Sequence, residues 1–77
     1  MRVVMDNAPN GTTVDTHLCS KVVCFWVRSG TADLIHDGDV ICSIVVGDRE
    51  VCDGLHIGAA VRFAATSDST TLVIDPG

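Results

Sequence analysis

The run from Ser20 to Val46, S-K-V-V-C-F-W-V-R-S-G-T-A-D-L-I-H-D-G-D-V-I-C-S-I-V-V, constrains this chain more than any other stretch. Lys21–Arg28 and Asp39–Val46 are dense in Val, Ile, Phe and Trp, with the shorter Thr31–His36 between them. These are residues that suit a pleated, half-buried surface. Ser29-Gly30 and Asp37-Gly38 punctuate the run, and Asp-Gly tolerates the positive φ of a tight hairpin turn. The spacing leaves no room for a helix. It predicts three consecutive antiparallel strands joined as a meander.

The flanks extend the pattern. Ala59–Ala65 predicts a fourth strand, with Val61 and Phe63 on one face, and Thr66-Ser67-Asp68-Ser69 a turn. Thr71–Ile74 then closes the sheet as a fifth strand, while Gly47-Asp48-Arg49-Glu50 reads as a polar turn and Val51–Leu55 as a connecting loop. Upstream, Met1–Met5 is a short strand or arm, Pro9-Asn10-Gly11 carries turn chemistry, and Thr12–Leu18 alternates weakly as an extra edge strand or a loop. The apolar spacing is everywhere nearer two than 3.6. The expected fold is all-β: residues 1–19 form an N-terminal arm or extra edge strand, and residues 20–77 a small five-stranded antiparallel OB-like barrel. Closure removes the open edges that a sheet of this size would otherwise expose.

With 47% hydrophobic but only 4% aromatic residues, the core is built from Val, Ile, Leu, Ala and Cys. A 77-residue chain makes one domain, and a domain this small buries only about 60% of its unfolded surface. No apolar run approaches the ~20 residues of a membrane span, and no basic-then-apolar leader opens the chain. The expectation is therefore a cytoplasmic protein with no membrane contact. Cys19, Cys24, Cys42 and Cys52 lack a C-x2-C pair, so a zinc site drawing on His17, Cys19, Cys24, Cys52 and His56 has only loose spacing behind it. Buried or half-buried thiols are expected, with no metal and no cofactor. There is no nucleophile motif, phosphate loop or metalloprotease signature, hence no catalytic residue and no enzyme.

The segments S-K-V-V-C-F-W at 20–26, S-G-T-A-D-L-I at 29–35, D-G-D-V-I-C-S-I at 37–44 and L-H-I-G-A-A-V-R-F at 55–63 follow the order of elements in a cold-shock domain. Over residues 20 to 75 the chain resembles a degenerate member of that family. The family stacks bases on aromatics of its second and third strands, and those positions hold Thr31, Asp33 or Leu34, Ile41 and Ser43 here. A stacked base contributes ~1–3 kcal/mol, so such a sheet has lost most of its affinity. The resemblance implies weak binding of single-stranded RNA or DNA, or a subsidiary place in an RNA-binding protein.

Lys21, Phe25, Trp26, Arg28 and His36 are the residues expected to touch nucleic acid. Phe25 and Trp26 point to opposite faces of a strand, whereas Trp26 and Arg28 share one and would grip a base between indole and cation. His36 beside Asp37 would reach a phosphate. The net charge of −5 opposes a polyanion. It favours an alternative: an acidic protein-interaction module, such as a small viral or phage accessory or inhibitor protein. Such a module docks a protein partner through an exposed apolar or edge surface, or self-assembles through M-R-V-V-M.

Overall fold

The computed structural model describes residues 2–17, 23–46, 49–52 and 58–76, with side chains for 2–17, 26–46 and 58–74. Its strands are β1 (Arg2–Ala8), β2 (Thr13–His17), β3 (Val23–Ser29), β4 (Thr31–His36), β5 (Asp39–Val45), β6 (Arg49–Cys52), β7 (Ala60–Ala65) and β8 (Thr70–Pro76). The chain is all-β and antiparallel, as its patterning predicts. The strands are divided between two four-stranded sheets, β1-β8-β3-β6 and β2-β7-β4-β5, where the sequence suggests one five-stranded barrel.

One hairpin generates this order. Asp37 and Gly38 both have positive φ, 52° and 80°, and close a two-residue turn between the paired His36 and Asp39. From that turn the chain runs back along itself, pairing β4 with β5, β3 with β6, β2 with β7 and β1 with β8. The doubled ribbon then folds over so that β3 joins β8 and β4 joins β7. The result is the strand order of a jelly roll.

Two sequence expectations change accordingly. Ser29-Gly30 is not a hairpin, because β3 and β4 lie in different sheets; Gly30 is the corner where the chain crosses between them. Arg49–Cys52, expected as turn and loop, forms β6 and pairs Trp26 with Arg49 and Val23 with Cys52. Within residues 1–19, expected as an arm or an extra edge strand, β1 and β2 are both edge strands, and Met5 and Ala8 lie in the core. The rest of the Lys21–Arg28 expectation, at Lys21 and Val22, lies outside the described residues.

The core fills the space between the sheets. Met5, Val27, Leu72 and Ile74 come from one sheet, and Ala32, Leu34, Ile44, Val61 and Phe63 from the other. Alternation places them there: Ala32 and Leu34 are buried while Thr31 and Asp33 are half-exposed, and Val61 and Phe63 are buried while Ala60 and Arg62 are exposed. Leu34 and Phe63 are partners in register and both are fully buried.

Polar bonds fix the corner at Gly30. Thr70, the buried polar residue among those described, donates from Oγ1 to the Ser67 carbonyl at 2.8 Å. Ser67 Oγ accepts from the Thr31 amide at 2.9 Å, and Ser29 Oγ donates to the Ser69 carbonyl at 2.7 Å. The predicted Thr66–Ser69 turn is thus tied across the sandwich to both sides of Gly30.

Candidate interaction surfaces

The expected nucleic-acid residues do not converge on one face. Trp26 is half-buried and Arg28 exposed on β3, while the intervening Val27 is 1% exposed and points into the core. Trp26 and Arg28 therefore share the outer side of the β1-β8-β3-β6 sheet. Trp26 sits in register with Val73, whose other partner is Val3. Val73 lies opposite to the inward Leu72 and Ile74 and is nonetheless fully buried, so its outer side is covered. Trp26 is the large side chain on that row, and β1 lies beyond β8 in the same sheet. Lys21 and the side chain of Phe25 lie outside the described residues.

His36 is on the other sheet and is held by the fold. Its Nδ1 donates to the Ala60 carbonyl at 3.0 Å, joining the end of β4 to β7, and its Nε2 lies 3.4 Å from an Asp37 carboxylate oxygen. With 22% of its side chain exposed, it secures the hairpin turn and does not join Trp26. His17 is exposed on β2; Cys19 and His56, considered with it as metal ligands, lie outside the described residues.

Beside the hairpin turn, an open groove of about 450 Å³ runs over β2 and β7, lined by Asp15, His17, Ile35, Asp37 and Arg62 among others. Its one cation is engaged. Arg62 Nε donates to Asp15 Oδ1 at 2.6 Å and its terminal nitrogen to Oδ2 at 3.1 Å, the fork geometry of guanidinium and carboxylate. The two are register partners on β2 and β7. The hydrogen bond from Arg62 holds the Asp15 carboxyl below its ordinary 3.8, against an opposing effect of desolvation and helped by the guanidinium charge. A lowered native value means the pair's stabilisation is complete above the unfolded value and is lost as pH falls through the native one. Asp15→Asn should therefore lose the pair's small contribution at neutral pH and match wild type well below about pH 4, which flattens part of the acid limb of stability. Carboxyl NMR titration of the wild type should place Asp15 below 3.8; a midpoint at or above that value removes the pair from the acid limb.

The sheet edges differ sharply. β1 carries Arg2 and Asp6 and its ladder is broken by two register shifts. β2 exposes Asp15 and His17, and β6 has four residues, beginning Arg49-Glu50. Charges, breaks and shortness are the usual protections of an edge strand. β5 has one such break, an extra residue at Ile41, but differs in composition: after Asp39 it reads V-I-C-S-I-V, with Val46 following, and this run contains no charge. Its burial follows suit, because Ile44 is buried and Cys42 packs half-buried on the core. Val40, Ile41, Val45 and Val46 are 55, 43, 51 and 56% exposed. Of the five exposed large apolar side chains among the described residues, only Val3 lies elsewhere.

Sequence reasoning saw β5 as a strand but not as an edge. A run apolar on both faces ordinarily marks a strand buried on both faces, and among the described residues β5 has β4 as its sole ladder partner. That mismatch was present in the sequence, and only the strand order makes it visible. No protein family, no characterised protein and no solved structure matches this chain.

Proposed function

We infer that this chain is a non-enzymatic protein-interaction module that docks a polypeptide through the β5 edge. One observation carries the reading: a strand with no charge after its first residue, Asp39, and apolar on both faces stands at the rim of a sheet, where its own fold leaves Val40, Ile41, Val45 and Val46 exposed. An edge strand offers unpaired N–H and C=O groups, and an added strand satisfies them while its side chains cover the apolar row. The net charge of −5 lies outside this segment, keeping the rest of the surface soluble and directing contact to the neutral strip.

A second reading, weak binding of single-stranded RNA or DNA, is supported by Trp26 and Arg28 sharing the outer side of their sheet. Two cross-checks separate the readings. A photo-crosslinking amino acid at position 45 should yield polypeptide adducts, while the same group at the exposed position 68 should not. Single-stranded RNA at low salt should leave Trp26 fluorescence unchanged. Equal labelling at both positions, or none, together with saturable quenching that weakens with salt, would replace the first reading with the second.

A further inference from the structure

We propose that the occupant of the β5 edge is a second copy of this chain, paired antiparallel about a two-fold axis at Ser43. The proposal rests on β5 being a docking edge and adds the partner and the register.

The other three edges do not pair with this one as well. β1 and β2 would set charged side chains, Arg2 and Asp6 or Asp15, against the neutral apolar strip, and β6 is short. β5 complements itself. In a two-fold antiparallel pair centred on Ser43, Ile41 faces Val45 of the other copy, Val40 faces Val46, and Cys42 faces Ile44. All four exposed apolar residues then meet one another, and the small hydroxyls meet at the axis. Moving the axis to Cys42 sets Val45 against Asp39, and moving it to Ile44 sets Val45 against Ser43. Both alternatives spoil the apolar pairing. A two-fold contact uses the same patch on both copies, so this self-complementarity is the geometric requirement for a closed dimer. The register shift between Leu34 and Ile35 leaves Ile41 as an extra residue in β5, so the proposed ladder is regular from Cys42 to Ile44 and carries this bulge at each of its two Ile41–Val45 pairs.

One strand per copy covers less than the roughly 800 Å² per partner of a stable interface. The dimer is therefore expected to exchange rapidly, with a Kd of about 10–100 μM.

The test is sedentation-equilibrium ultracentrifugation in reductant, which keeps the cysteines out of the association. Circular dichroism should confirm that each variant folds. Wild type should self-associate in that range. Ile41→Lys and Val45→Glu, each at an exposed position, should each weaken dimerisation about tenfold or more by placing an unpaired charge in the ladder. The double variant Ile41→Lys/Val45→Glu should dimerise again at low salt, because the Ser43 axis sets each lysine opposite a glutamate of the other copy. High salt should undo that rescue. A wild type that stays monomeric at millimolar concentration overturns self-pairing; adducts at position 45 would then still show a docking edge with a different occupant. Single variants that dimerise like wild type also overturn the proposal. Two monomeric single variants without rescue overturn the Ser43 axis.

Discussion

Gly30→Ala should be the most damaging small substitution in the chain, costing about 3 kcal/mol or more. Gly30 has φ +75°, and a Cβ placed there would approach Thr70 Cα to 2.8 Å and Ser67 Oγ to the same distance. The nearest atom is Thr70 Oγ1, held by its hydrogen bond to the Ser67 carbonyl, and Thr70 is fully buried, so neither that hydroxyl nor the backbone Cα beside it is free to move away. The corner has no soft side chain to give way. Gly38→Ala isolates the conformational part, because Gly38 has a similar φ of +80° with nothing within 4 Å of its Cβ position; it should cost about 1–2 kcal/mol. Urea unfolding followed by Trp26 fluorescence measures both. Equal losses at the two glycines would mean that close approach to Thr70 contributes nothing.

Phe63→Ala should cost about 3–5 kcal/mol. Among the described residues Phe63 is the largest fully buried side chain, and it pairs in register with the equally buried Leu34. A chain of 77 residues has a total stability of about 4–12 kcal/mol, so the loss removes a large share of it. Thermal melts by circular dichroism should show the variant melting far below wild type. Val3→Ala, at a position 56% exposed, should stay within about 0.5 kcal/mol. If Phe63→Ala melts with wild type, the two sheets are not packed around this ring.

Much of the local structure is legible in the residues. Thr31–His36 carries the same bounds in sequence and structure, and the Asp37-Gly38 and Thr66–Ser69 turns stand where their chemistry puts them. The inward set Ala32, Leu34, Val61 and Phe63 follows from period-two alternation. β6 was harder to read, because Arg49-Glu50 has the composition of a turn and becomes a strand only by lying against Phe25 and Trp26. The candidate nucleic-acid group shows the same limit. Trp26 and Arg28 sit one strand face apart from Val27, as alternation requires, whereas His36 belongs to the opposite sheet.

The sequence by itself determined that this chain is antiparallel β, where its tightest hairpin turns, and which side of β4 and β7 is apolar. Those properties depend on φ preferences and alternation within a few residues. Tertiary structure alone decided that the strands divide into two sheets, that Gly30 is a corner and that β5 stands at an edge. Each of these depends on a distant partner: Arg2 pairs with Ile74, Gly30 packs on Thr70, and β4 takes β5 on one side and β7 on the other. Local propensity makes a strand, but it carries no information about which strand will lie beside it. For β5 that neighbour makes the difference between a buried core strand and an exposed docking edge.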